Sequence, residues 1–241
     1  MPAKNIVKDY SAEGYYHVYN RGVNKRRIFI DDQDYKTFLS YLKIYLGPQN
    51  IDELKTILAD PNATPKQKDE ALRSLSLNNF NNKVELNAYN LMPNHFHFLL
   101  QQKEERHMQS FLQSLMTRYC MYFNRRHHRV GGLFEGTYKA VLILSDEQLL
   151  YVTRYIHRNS LGVIGLKGSL SEMLHSQPSS YPNYLNEIHQ EWVKPDKVLA
   201  NFSKSGFNSY KSFVEGDDSN TALSEILLSK LSIDDYSEEI S

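Results

Sequence analysis

Cysteine occurs once in this chain, at Cys120, so no intrachain disulfide staples the fold. Cys120 falls on a helical apolar face and reads as core, and the missing disulfide framework fits a reducing cytoplasm. Long apolar runs are also missing: nothing approaches the about eighteen residues of a membrane span. The segment Met1 to Tyr10 lacks the apolar stretch of a secretory signal. Net charge is absent too, since Lys+Arg and Asp+Glu both total 28. That balance argues against a bulk polyanion binder. No internal repeat or low-complexity tract is present. The expectation is a cytoplasmic protein with one substantial domain and appendages.

The charge is unevenly spread. Between Arg106 and Lys139 stand six basic residues (Arg106, Arg118, Arg125, Arg126, Arg129, Lys139) and one acidic, Glu135. Beyond Gly216 stand seven acidic residues and one basic, Lys230. A basic patch with an acidic tail is compatible with a nucleic-acid partner. The run Arg125–Arg129 equally suits a solvated helix end, where cations complement the dipole.

Tyr15–Val23 reads as a strand. Asp31–Asp34 opens a helix with Tyr35, Phe38, Leu39, Leu42, Tyr45 and Leu46 on one face, ended by Gly47-Pro48. Residues 49–80 read as an insertion, a small helical hairpin over Ile51–Leu58 and Pro65–Leu77. Val84–Met92 and His95–Gln101 are strands joined by a tight Pro93-Asn94 turn. Met108 to Phe123 carries a helical stripe, and Tyr138–Leu144 is a further strand. This β-α-β-β-α-β order predicts an α+β fold with a ferredoxin-like antiparallel sheet. Residues 166–185 read as irregular, Pro195–Gly216 as two short helices, and the acidic tail as a final amphipathic helix or disorder.

Within that frame, residues 94–100 read Asn-His-Phe-His-Phe-Leu-Leu. On a strand the side-chain period is two, so His95 and His97 share one face while Phe96 and Phe98 bury the other. Two same-face imidazoles suit one divalent metal ion, although such a pair alone is more often plain hydrogen bonding. The second segment is 145–159. Ser145 and Gln148 form a capping box, Asp146 and Glu147 sit in the first turn, and Leu149, Val152 and Ile156 form an apolar stripe. Tyr151, Tyr155 and Asn159 lie four apart in one row. With Asn159 as a third ligand beside the histidines, Tyr155 would sit next to the metal. A phenol titrating near 10 is a poor nucleophile until a cation and good geometry favour its phenolate. Tyrosine, two histidines and an amide therefore suggest phosphoryl transfer through a phosphotyrosine. With 17 tyrosines in the chain, any one of them taken at random is packing.

Several blocks in order resemble one family. They are Tyr16-His17-Val18-Tyr19-Asn20-Arg21-Gly22, Leu91-Met92-Pro93-Asn94-His95-Phe96-His97, Tyr122-Phe123-Asn124-Arg125-Arg126-His127, Leu133-Phe134-Glu135-Gly136-Thr137-Tyr138-Lys139 and Arg154-Tyr155-Ile156-His157-Arg158-Asn159. Over roughly residues 14–165 the chain resembles the single-tyrosine HUH transposases of the insertion-sequence type, in the REP-associated tyrosine transposase branch. The resemblance implies His95, His97 and Asn159 as metal ligands, Tyr155 as nucleophile, and a 5′-phosphotyrosine intermediate on single-stranded or hairpin DNA. Family members usually carry a proline where this chain has Ser160, and many are strongly basic where this one is neutral.

Imidazole and amide ligation suits Mg²⁺ or Mn²⁺ at an open catalytic site rather than structural Zn²⁺. Arg21, Arg125, Arg126 and Lys139 are the expected DNA contacts. The expected organisation is an HUH transposase/nuclease domain over 1–185, a helical extension over 186–216 and an acidic tail over 217–241. The expected partner is DNA, without a membrane, for a nucleoid-associated monomer or homodimer. Two other readings stand beside this one: a catalytically inactive hairpin- or repeat-binding protein, and a small-molecule metal hydrolase that does not need Tyr155.

Overall fold

The computed structural model describes residues 10–162 and 168–216. Four strands, β1 (Tyr15–Arg21), β2 (Val84–Met92), β3 (His95–Gln102) and β4 (Lys139–Ile143), form one sheet in the order β2-β3-β1-β4. Every neighbouring pair is antiparallel, as the ferredoxin-like reading requires. Helix α1 (Asp32–Leu46) follows β1, α4 (His107–Arg126) follows β3, and α5 (Asp146–Arg158) follows β4.

The sheet has two covered faces, and its residue parity decides which side chains meet which helix. Tyr16, Val18, Phe96, Phe98 and Leu100 face α1 and α4, in a core with Phe38, Leu42, Phe111, Leu115 and Tyr119. His17, Tyr19 and Arg21 of β1 lie on the other face with His95, His97 and Leu99 of β3. Strand β2 would present the wrong set without its bulge. The register shifts between Leu86, opposite Leu100, and Ala88, opposite Leu99. Leu86 therefore joins the α1/α4 core, while Ala88 and Asn90 join the histidine face.

That face is covered by α5 and by the chain that follows it. Leu149, Val152 and Ile156 pack with Ala88, Leu99, Leu174, Tyr181, Tyr184, Val198, Tyr210 and Val214. Residues 166–185, expected as irregular, include α6 (Leu170–Leu174) and α7 (Tyr181–Tyr184) within the described part. Prolines and serines masked the signal: Ser169 makes a capping box, and Pro182 sits in the first turn of α7. Two further short helices, α8 (Asp196–Leu199) and α9 (Tyr210–Glu215), match the expectation for 195–216. The apolar core on this face spans the expected 185/186 boundary. Residues 178–194 also seal the open edge of β2. Leu91 donates to the Pro178 carbonyl, Ser180 to that of Tyr89, and Lys194 to that of Leu86.

The insertion forms the expected hairpin of α2 (Ile51–Ala59) and α3 (Pro65–Ser76). Thr64 and Gln67 build a reciprocal capping box at the start of α3. A cavity of about 1550 Å³ lies between α1, this hairpin and His189–Trp192, and no residue of the histidine face lines it. Cys120, expected as core, is half-buried, with its sulfur 3.8 Å from the Gly131 carbonyl. The expected tail helix over 217–241 lies outside the described residues.

Candidate active site

Helix α5 brings the two halves of the sequence motif together within one chain. The Tyr155 ring stands edge-on to His97 at 5.5 Å and to His17 at 5.8 Å between centroids. The Asn159 side chain reaches His95, its Oδ1 lying 3.4 Å from His95 Nε2. Tyr151, first of the row of three, turns instead to Phe213.

The helix is bolted to the sheet at its C-terminal end, where the geometry matters. Asn90 stands beside His97 on β2 and donates to the Ile156 carbonyl (2.9 Å) and the Ser160 hydroxyl (3.0 Å). Ser160 is thus a buried acceptor that ties the last turn to the site. His157 is fully buried, bonded at Nδ1 to Tyr210 (2.7 Å) and at Nε2 to Ser180 (2.8 Å). Arg154 and Arg158 donate to the carbonyls of Phe213, Val214 and Gly216, capping the end of α9. Asn90, Ser160 and the α9 carbonyls carried no motif signal, because their partners lie about 50 to 70 positions away in sequence.

The amide contacts around His95 point to where its proton sits. Asn94 donates its amide to the Lys25 carbonyl, so its Oδ1 faces His95 Nδ1 at 2.6 Å as an acceptor. His95 Nδ1 must therefore carry the proton. Burial, the largest effect, lowers the His95 pKa to about 4, so the ring is neutral at pH 7 and Nε2 is bare. Asn159 donates its own amide to the Tyr155 carbonyl, which leaves Oδ1 pointing at that bare nitrogen. Two acceptors thus face each other across 3.4 Å. Such a pair repels unless a cation bridges it. Its span is close to the edge of about 3 Å expected for octahedral Mg²⁺. The donor chemistry therefore fits a hard or borderline divalent ion. Among the described residues no group of three or more His, Cys, Asp or Glu side chains is placed for a metal. The set here is two imidazoles and a carboxamide.

His97 is fully buried, its pKa held well below the usual histidine value by burial and then by His95 and His17. Burial alone lowers His17 and His157 to about 3. These four rings give acid lability a direction. The unfolded chain takes up protons near pH 6.5, whereas folded His17, His95 and His157 resist until about pH 3–4 and His97 is shifted in the same direction. The unfolded state therefore binds more protons throughout that window. Stability is full above about pH 6.5 and is lost as pH falls, each ring contributing up to about 1.4 kcal/mol per pH unit. Thermal unfolding in chelator should show the midpoint dropping from pH 7.5 to 5; a flat midpoint would contradict neutral burial.

The expected DNA contacts divide. Arg21 lies on the histidine face opposite His95 and pairs with Glu135 through two hydrogen bonds of 3.0–3.1 Å. Lys139 is exposed and its ammonium lies 5.4 Å over the Tyr19 ring. Arg125 is exposed at the end of α4. Arg126 is engaged internally: its guanidinium makes three 2.7 Å bonds to Asp31 and Asp34. Sequence spacing could not separate Arg125 from Arg126, because their difference lies in what α1 presents. No described helix is long and apolar enough to cross a membrane.

No curated protein matches the chain. Among solved structures it is similar to "Structure of the REP associates tyrosine transposase bound to a REP hairpin", with 12% identity over 83% of this chain and 92% of that one, and a TM-score of 0.46. It is also similar to a structure described as a candidate transposase from Deinococcus radiodurans R1, with 19% identity over 63% of this chain and 94% of that one, and a TM-score of 0.27. Residues 64–159 match the family model described as "Transposase IS200 like". That segment, about two fifths of the chain, holds the strand of His95 and His97 and the helix of Tyr155 and Asn159.

Proposed function

We propose that this chain cuts and rejoins single-stranded DNA beside a hairpin, with Tyr155 as nucleophile and a divalent cation, Mg²⁺ or Mn²⁺, held by His95, His97 and Asn159. The observation that carries the reading is the pair of facing acceptors, His95 Nε2 and Asn159 Oδ1, beside the Tyr155 ring. When bound, the cation supplies charge neutralisation and polarisation at the scissile phosphate. Every other part of the reaction belongs to the protein. Tyr155 Oη loses its proton and forms a bond to phosphorus, while the P–O3′ bond breaks. The leaving oxygen takes up a proton and becomes a free 3′-hydroxyl, and the 5′-phosphate stays on the tyrosine. A second 3′-hydroxyl reverses the step and regenerates the phenol. Ester energy is conserved, so no nucleotide cofactor is needed.

Arg21, Lys139 and Arg125 meet backbone phosphates in this reading, which makes binding salt-dependent. Arg126 serves the fold. The reaction is tested by incubating the full chain with pooled hairpin-bearing single-stranded DNA and Mn²⁺. A covalent protein–DNA adduct that disappears on chelation is the expected result. Hairpin binding without any adduct would overturn cleavage and leave a binding module.

A further inference from the structure

The histidine face holds a third imidazole that the ligand set does not use. His17 lies on β1, fully buried, with its Nε2 2.9 Å from His97 Nδ1. The two rings are nearly coplanar, 7° apart, so the contact is an in-plane hydrogen bond. The other nitrogen, His17 Nδ1, is buried and has no hydrogen-bond partner among the described residues. Its strand neighbours across the sheet, Leu99 and Val141, offer none.

Two neutral rings can share that contact in only two ways. In one, His17 Nε2–H donates to His97 Nδ1. The His97 proton then sits on Nε2, and His97 cannot ligate. In the other, His97 Nδ1–H donates to His17 Nε2. His97 Nε2 is then bare, and the His17 proton moves to the orphaned Nδ1. The two forms carry the same number of protons and no charge. They differ in whether the metal-facing nitrogen is open.

We propose that His17 is a positioning residue whose hydrogen bond selects the His97 tautomer and so sets the affinity of the site for a divalent cation. This rests on the ligand set proposed above. It explains why a buried imidazole stands where an apolar residue would pack with Leu99 and Val141. It also assigns a cost, since the ligating form places an N–H where nothing accepts it. An outer-sphere partner that orients a ligating histidine typically governs 10–100-fold in metal affinity.

Mn²⁺ affinity, read by the electron paramagnetic resonance signal of the free ion, tests this without any DNA. His17→Phe keeps a planar ring and removes the acceptor; affinity should fall about 10–100-fold. His17→Gln places an amide oxygen near the lost nitrogen and needs no orphaned ring N–H. It should restore affinity to the wild-type level or above. Equal affinity in wild type and His17→Phe would overturn the role of His17 while leaving the ligand set intact. Absence of Mn²⁺ binding in the wild type would sink both. In wild-type protein with Mg²⁺, imidazole ¹⁵N shifts should place the protons of His97 and His17 on their Nδ1 atoms. Protons on both Nε2 atoms would overturn the proposal even if no variant folds.

Discussion

Tyr155→Phe is expected to abolish the covalent protein–DNA adduct, a loss on the order of 10⁴-fold or more, as for other enzymes stripped of their nucleophile. The substitution removes one oxygen and little else. The ring makes edge-on contacts with His97 and His17, and phenylalanine keeps both. Asn159 stays anchored through its amide to the residue 155 carbonyl, which the substitution does not touch. Mn²⁺ affinity and hairpin binding should therefore stay within about twofold of wild type. Tyr151 cannot take over, since its ring is engaged by Phe213. An adduct that persists in Tyr155→Phe would reject the assignment and point to Tyr19, whose ring stands 5.7 Å from His97.

The second large effect concerns stability. Asp34 is fully buried and accepts from the Ile30 amide, the Tyr122 hydroxyl, Arg126 and His127. Burial acts to raise its pKa, but these bonds together outweigh it and hold the carboxyl below its ordinary value. Asp34→Ala leaves Arg126 with Asp31 alone and strands the other donors. Breaking a buried pair costs about 3–5 kcal/mol; Arg126 is partly solvated, so about 3 kcal/mol is expected. Denaturant unfolding should show a lower midpoint at an unchanged slope. A loss below about 1 kcal/mol would mean that the network is satisfied by water. Arg126→Ala should cost less, because Asp34 keeps three partners.

Much of this fold was legible from local pattern. The alternation in His95–Gln101 and the stripes of α1, α4 and α5 survive because each element buries one face, and burial imposes a period. The pairing of His95 with Asn159 followed from a family resemblance and was not derivable from spacing. What could not be read were the long-range partners of polar side chains. His17 looks like an ordinary strand histidine until β1 pairs with β3 and brings it to His97. Arg126 looks like a DNA contact until α1 presents Asp31 and Asp34. The compact packing of 168–185 depends on Tyr181 and Tyr184 finding α5 and α9, and short helices without a repeating stripe give no periodic sign of it.

The bulge in β2 bears on how this strand can vary. A strand assigns side chains to two faces by simple counting, and one extra residue inverts the count for everything beyond it. Here the inversion lies between Leu86 and Ala88 and carries Asn90 to the side where α5 ends. Removing Asn87 itself would take out the extra residue and leave a regular ladder, with Leu86 still opposite Leu100 and Asn90 still opposite His97. A one-residue deletion at this point would therefore cost the Asn87 bond to the Lys194 carbonyl rather than the assignment of the two faces.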